Sequence, residues 1–197
     1  MIDADLEEQS ERFRAKLPST IPVYKLRMYP NYTGPVVWIR EGRREVQFME
    51  WGLLPHTARD KNLKKKYSTF NARAESLKSS KLYFPPYFKN QRCLIPATSF
   101  FEWADRADGK VQIEVETDAK IMAIAGLWEV CRISSVDLFT FTMITTQPNQ
   151  ILASIHSRMP AVLPESNWED WLNPEVPSED LHSILKPYEG HTVFNSK

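Results

Sequence analysis

The sequence predicts an α+β fold: a single domain, residues 1–197, built on a mostly antiparallel, barrel-like β-sheet with flanking helices. Segments rich in β-branched and aromatic residues follow one another through the middle of the chain. They lack the regular strand–helix alternation that a parallel sheet requires. A length of 197 residues fits one domain with a substantial core, and no repeat, low-complexity tract or linker divides the chain.

The first half of the chain predicts two helices separated by β-structure and a lysine-rich loop. The helices are expected over 3–17, capped by Asp3 or Asp5, and over 72–82. The β-structure is expected over 22–29 and 35–50, with a hairpin turn at Glu41–Arg44. The loop contains Lys61, Lys64, Lys65 and Lys66. A solvated loop is the ordinary interpretation of such a run, and nucleic-acid contact is the alternative.

The second half predicts five strands followed by three short helices. The strands are expected over 92–95, 98–103, 111–116, 121–128 and 137–145. The first helix is expected to begin at Pro148 and to end near residue 155. The other two are expected after Ser166 and Ser178, either of which can cap a helix, and the last would end at Pro187.

Composition excludes several classes of function. Lys plus Arg and Asp plus Glu each total 25, so the chain has no global charge to attract nucleic acid, and any anion-binding surface must come from local clustering. Two cysteines without CxxC spacing and four scattered histidines predict neither a disulfide framework nor a metal site, and no cofactor is expected. The sequence shows no signal peptide and no membrane-spanning apolar run, so a cytoplasmic protein is expected.

Glu102 and His156 are the candidate proton-transfer residues. Glu102 stands between Phe101 and Trp103, where desolvation would raise the pKa of a carboxyl. The alternative is that Glu102 faces solvent on an alternating strand. His156 follows an apolar helical stretch, and an imidazole there can carry protons near neutral pH. A lone histidine is more often structural, and the local pattern leaves both alternatives open.

Polar and aromatic residues near these two suggest an anionic ligand. Asn71 can orient a substrate or simply cap the helix expected after it. Arg73 and Arg158 are fixed cations suited to phosphate. The tryptophans Trp51 and Trp103 either pack in the core or contact bases.

Taken in order, several short segments resemble the SOS response-associated peptidase (SRAP) family, whose members shield abasic sites in single-stranded DNA. The resemblance runs from about Trp51 to Leu163. The matching segments are Trp51–Pro55, Asn71–Glu75, Arg92–Ala97, Phe101–Trp103, Ala125–Glu129, Ile144–Thr146 and His156–Pro160. No segment is specific alone, but seven in the same order are.

The resemblance implies a mechanism and a set of roles. Family members begin Met-Cys, and the processed cysteine reacts with the ring-opened abasic sugar to give a thiazolidine crosslink. Asn71, Glu102 and His156 would be catalytic: Asn71 would position the reactants, Glu102 would act as acid and base, and His156 would bind the sugar hydroxyl. Glu102 would also assist removal of the initiator Met. Arg73, Arg158, Trp51 and Trp103 would contact the DNA.

The sequence departs from the family where the nucleophile belongs, because it opens Met1-Ile2. Two alternatives stay open: the start is truncated or misassigned, or the chain is a diverged member that binds without crosslinking. Neither Cys93 nor Cys131 can supply an amino-terminal amine and thiol together. Three functions follow as alternatives: a monomeric abasic-site protein in the cytoplasm, associated with the nucleoid; a non-catalytic single-strand-binding module; or a peptidase. A peptidase is disfavoured, because the candidate residues include no acylation nucleophile.

Overall fold

The computed structural model describes residues 6–106 and 109–196, and within them eleven strands and four short α-helices. The strands are β1 (Thr33–Arg40), β2 (Arg43–Trp51), β3 (Asn71–Arg73), β4 (Arg92–Ala97), β5 (Ser99–Arg106), β6 (Gly109–Thr117), β7 (Met122–Ile133), β8 (Val136–Thr146), β9 (Met159–Pro160), β10 (Val162–Leu163) and β11 (Thr192–Ser196). The helices are α1 (Leu6–Phe13), α2 (Asn62–Lys66), α3 (Phe84–Phe88) and α4 (Trp168–Leu172). None of the described helices is long and apolar enough to cross a membrane.

Five strands close into a barrel in the order β7, β4, β1, β2, β8 and back to β7. Every neighbouring pair in this ring is antiparallel except β2 and β8, which are parallel. β3, β9 and β10 extend the sheet beyond the ring, and β3 runs parallel to β8. A second, antiparallel sheet has the order β11, β6, β5. The predicted α+β class and barrel-like sheet are therefore confirmed.

The predicted hairpin joins β1 to β2 in full register, from Thr33 opposite Glu50 to Arg40 opposite Arg43. Its two turn residues both have positive φ, 50° at Glu41 and 76° at Gly42. That pairing is typical of a type I′ turn, whose twist matches the twist of the strands it joins.

The barrel wall is buried on both faces. Alternate residues of β1 and β4 belong to two separate apolar clusters: Val37 and Leu94 face one, while Val36 and Cys93 face the other. The first cluster includes side chains of α1 and α4, so we call it the helix-side cluster. The second includes side chains of β5 and β6 and is the sheet-side cluster. Burial on both faces explains why β4 is apolar from Cys93 to Ala97.

The sheet-side cluster also positions the functional residues. Phe100 and Ala104 of β5 are buried in it, and so are Leu152 and Met159 from the segment around residue 156. Two elements far apart in sequence therefore pack on the same apolar surface, which brings Glu102 of β5 next to His156.

Several predicted elements are corrected by the structure. Residues 22–29 form no strand; the segment contacts the sheets through side chains, with Tyr24 against Phe48 and Arg27 over Phe101. The helix predicted over 72–82 is instead β3, a 3₁₀ turn (Ala74–Ser76) and further turns. The helix expected from Pro148 is only a 3₁₀ turn, Leu152–Ser154. The caps expected at Asp3 and Asp5 lie outside the described residues.

The other terminal predictions are confirmed in part. Among the described residues the first helix is Leu6–Phe13, so it ends before the expected residue 17. A helix does follow Ser166, at Trp168–Leu172, but Ser166 does not cap it: this serine lies inside a 3₁₀ turn, and Asn167 is the residue that precedes the helix. Ser178 caps no helix: its hydroxyl accepts a hydrogen bond from Arg92 and donates one to Asn90, and a 3₁₀ turn follows.

Candidate active site

Glu102 faces the core side of its strand. Along β5, Phe100, Glu102 and Ala104 share one face, and both apolar neighbours are buried in the sheet-side cluster. The Glu102 side chain is only 19% exposed, so the alternative that it faces solvent is wrong. Burial raises the pKa of Glu102 to about 7, although His156 acts in the opposite direction. A carboxyl with this pKa is both acid and base near neutrality.

His156 and Glu102 form the central contact of the site, with 3.4 Å between Nδ1 and Oε2. The same Nδ1 lies 3.2 Å from the backbone N–H of Arg158 and 3.1 Å from its carbonyl oxygen. Neutral Nδ1 can accept from that N–H, whereas protonated Nδ1 can donate to the carbonyl or to Glu102. The loop therefore offers partners to Nδ1 both with and without a proton.

Arg158 links this loop to the 3₁₀ turn that follows β3. Its two terminal nitrogens donate to the two carboxylate oxygens of Glu75, each at 2.9 Å, and one also donates to the carbonyl of Thr145 at 2.7 Å. These bonds lower the pKa of Glu75, chiefly through the hydrogen bonds from Arg158. The Arg158 side chain is 15% exposed, and its two terminal nitrogens are committed to protein groups, while its buried Nε has no hydrogen-bond partner among the described residues.

Asn71 and Arg73 lie on the outer face of β3. They flank Ala72, which is fully buried, and pair in register with Met143 and Thr145 of β8. Asn71 is in a strand, and its side chain caps no helix, so the capping alternative is wrong. Both side chains are exposed, and Arg73 forms no ion pair with any residue that the structure describes.

The two tryptophans differ in role. Trp103 is 53% exposed and lies on β5 next to Glu102, where it can meet a ligand. Trp51 is half-buried: its indole N–H donates to the carbonyl of Phe70 at 2.8 Å, and its ring stacks on Phe141. Trp51 therefore supports the backbone just before Asn71.

The lysine run is solvated as predicted at Lys61, Lys65 and Lys66, but it forms a short helix rather than a loop, and the Lys64 side chain is buried. Residues 62–66 form α2, and the Lys64 side chain is 6% exposed, with its ammonium 2.7 Å from the buried carboxylate of Glu50. Lys61 pairs with the other oxygen of Glu50. The two ion pairs lower the pKa of Glu50 although desolvation opposes them.

The structure thus joins Glu102, His156 and Arg158 by direct contacts and brings in Glu75, to which the sequence analysis assigned no role. Arg73 makes no such direct contact with these described residues, but it pairs in register with Thr145, whose carbonyl accepts a hydrogen bond from Arg158. Sequence analysis missed Arg27, whose guanidinium stacks on Phe101 at 4.4 Å. No local pattern marks it, because it lies in an irregular segment.

No group of three or more His, Cys, Asp or Glu side chains arranged to hold a metal ion occurs within residues 6–106 and 109–196. Both cysteines are buried, and desolvation raises the pKa of each thiol. Neither is a reactive thiolate in this fold.

Sequence comparison finds matches over nearly the whole chain. The family model described as SOS response associated peptidase (SRAP) matches residues 2–195. The abasic site processing protein YoqW of Bacillus subtilis (strain 168) is 41% identical over 146 residues, 72% of this chain and 63% of that protein. The abasic site processing protein HMCES of Gallus gallus is 28% identical over 193 residues, 81% of this chain and 57% of that protein. The chain therefore spans about 63% of the length of YoqW and less of HMCES.

Solved structures share the fold. A crystal structure of a protein from Bacteroides thetaiotaomicron matches with a TM-score of 0.85 and 25% identity, covering 100% of this chain and 89% of that one. A second, from Bordetella bronchiseptica, has the same TM-score with 26% identity and covers 98% and 95% of the two chains.

Proposed function

This chain belongs to the SRAP family, and on that premise we propose that it recognises an abasic site in single-stranded DNA. The observation that carries the proposal is the pair formed by Glu102 and His156, a half-buried carboxyl with a pKa of about 7 beside an imidazole. These two groups lie in segments that resemble the family's motifs. Curated relatives that match the chain are named abasic site processing proteins.

The chemistry of an abasic sugar fits this pair. Opening the cyclic hemiacetal moves one proton from the anomeric hydroxyl to the ring oxygen and exposes an aldehyde. Glu102 can take the first proton and return it to the ring oxygen, because its pKa makes both forms available near neutral pH. His156 would hydrogen-bond a sugar hydroxyl, and Asn71 would hold the sugar at the edge of β3.

A primary amine, the α-amino group of the polypeptide, can then trap the aldehyde. The amine condenses with the aldehyde, releases water and leaves an imine. In family members that begin Met-Cys, the thiol would add across the carbon–nitrogen double bond and close a thiazolidine. The two cysteines of this polypeptide are buried at 93 and 131. We therefore propose that the 197-residue polypeptide itself binds the abasic site and forms at most an imine.

Two exposed side chains are proposed as the main DNA contacts. Arg73 is exposed and unpaired among the described residues, so it can bind a phosphate. Trp103, 53% exposed, can stack on a neighbouring base. Arg158 and Trp51 are assigned supporting roles, since the terminal nitrogens of Arg158 and the indole N–H of Trp51 already donate to protein groups.

The test compares two fluorescent single-stranded oligonucleotides of identical length, one with a single abasic site. We expect tighter binding to the abasic strand and, on adding borohydride, a reduced covalent adduct. Asn71→Ala should remove the preference and leave affinity for the intact strand unchanged. Glu102→Gln should slow adduct formation, while Glu116→Gln, on the opposite face of the neighbouring strand, serves as the matched control and should not. Equal affinity of the unmodified protein for both strands would refute the proposal.

A further inference from the structure

A polar cavity of about 190 Å³ is lined by the segment that immediately precedes Asn71 in the chain. Its lining consists of Asn31, Gly52 and the continuous run Lys64–Phe70. Lysines and hydroxyl-bearing residues make up most of this lining, which suits a small charged group better than a base.

The charge balance around the cavity is positive. The buried carboxylate of Glu50 binds both Lys61 and Lys64 and so neutralises only part of the cluster. Lys65 and Lys66 are exposed, and neither forms an ion pair with a described residue. In a chain of zero net charge, these two ammonium groups make a local site of attraction for an anion.

The cavity is held by the barrel rather than by a loose loop. Trp51 donates its indole N–H to the carbonyl of Phe70, and the N–H of Leu53 donates to the carbonyl of Thr69 at 3.0 Å. Gly52 has φ +127°, and a Cβ there would lie 3.2 Å from the Lys64 ammonium. Glycine therefore permits the backbone turn and leaves room for the lysine that forms one wall.

The cavity and Asn71 are close along the chain. Ser68 precedes Asn71 by three residues, and an extended chain advances about 3.3 Å per residue, so the two lie within about 10 Å. A strand whose abasic sugar is held at Asn71 therefore carries a neighbouring phosphate near the cavity.

We propose that this cavity binds a backbone phosphate of the DNA strand, held by Lys65, Lys66 and the hydroxyl of Ser68. The inference rests on the proposed function, since it takes the strand at Asn71 to be DNA. Binding of the phosphate is independent of the damaged sugar, and it adds affinity without adding preference for the abasic site.

The test measures dissociation constants of the abasic and intact strands between 50 and 200 mM NaCl for the double variant Lys65→Gln/Lys66→Gln. We expect weaker binding of both strands, by about tenfold at 50 mM, and a log–log salt slope smaller by about 0.7 for each phosphate that the variant no longer binds. The ratio between abasic and intact strands should stay the same. Lys186→Gln, at an exposed lysine of a different cavity, is the matched control and should change neither quantity.

A second variant, Ser68→Glu, places a carboxylate at an exposed position of the lining and should weaken both strands in the same way. Unchanged affinity and slope in both variants, with normal binding by the unmodified protein, would overturn the cavity proposal and leave the proposed function standing. If the unmodified protein shows no preference for the abasic strand but its binding still depends on these lysines, the proposed function is overturned and the cavity proposal stands. If inorganic phosphate binds the unmodified protein at constant ionic strength, and the double variant abolishes this binding without weakening either strand, the cavity is a site for free anions and its role in binding DNA is overturned.

Discussion

Arg158 and Glu75 face each other through two parallel hydrogen bonds of 2.9 Å, and this pair ties the His156 loop to the 3₁₀ turn after β3. The third bond of Arg158, to the carbonyl of Thr145, anchors the pair to the end of β8. Segments separated by 83 residues are thereby held in one orientation. The arginine that the sequence presents as a phosphate ligand serves in the fold as a clamp between parts of the site.

The two arginines should consequently respond differently to removal. Arg158→Ala removes the two hydrogen bonds to Glu75 and the one to the Thr145 carbonyl, so we expect a loss of about 1–3 kcal/mol in the free energy of unfolding. Arg73→Ala should change stability by less than about 0.5 kcal/mol, since its side chain is exposed. Its effect should appear in single-strand binding, as a salt slope smaller by about 0.7. Urea unfolding and salt titration together separate the two roles, and equal stability losses would contradict the assignment.

Glu102 should make stability depend on pH. The pKa of Glu102 is about 7 in the folded protein and near 4.5 in the unfolded chain. Between these two pH values the folded state holds a proton that the unfolded chain has released. The favourable contribution of this proton is present below pH 4.5 and is lost as pH rises through about 7. Relative to Glu102→Gln, the unmodified protein should therefore lose on the order of 2 kcal/mol of stability across this range.

The measurement is the difference in unfolding free energy between Glu102→Gln and the unmodified protein, taken at pH 5 and pH 8. Glu116→Gln provides the control with the same change of charge on the neighbouring strand. A difference that does not vary with pH would show that the carboxyl has an ordinary pKa.

The two tryptophans give a second contrast. Trp103→Ala removes a ring that is 53% exposed, so stability should change little, while stacking on a base contributes about 1–3 kcal/mol of binding. Trp51→Ala removes the hydrogen bond to Phe70 and the stacking on Phe141, and should cost at least about 2 kcal/mol of stability. Thermal unfolding and single-strand binding, both measured on each variant, test these two expectations. A destabilised Trp103→Ala protein with normal binding would place that ring in the core.

The last prediction concerns the two cysteines. Cys93 and Cys131 are both buried with raised pKa values, so neither can attack an aldehyde bound at the site. The 197-residue polypeptide should give no adduct with abasic DNA that survives denaturation, unless borohydride has reduced an imine. A family member that begins Met-Cys is the positive control on the same denaturing gel. A stable unreduced band that disappears in Cys93→Ser or Cys131→Ser would contradict this expectation.

Sequence patterns predicted the regular strands well and the irregular segments poorly. The strands expected from 92 to 145 all occur, and so does the hairpin at 41–44, because β-branched alternation and positive-φ turn residues are local signals. The helix expected over 72–82 fails because β3 gains its pairing from β8, a partner about 70 residues away. Lys64 is misjudged for the same reason: Glu50, which buries it, belongs to another element.

The sequence by itself determined the class of the fold and the identity of the candidate residues, since periodicity and short motifs depend only on neighbours along the chain. Only the tertiary structure decided what each residue does there. Packing on the sheet-side cluster turned Glu102 inward and brought it within 3.4 Å of His156, and the resulting desolvation raises the pKa of Glu102 to about 7. A pKa set by burial and by a partner 54 positions away is a property of the folded surroundings, which no local pattern specifies.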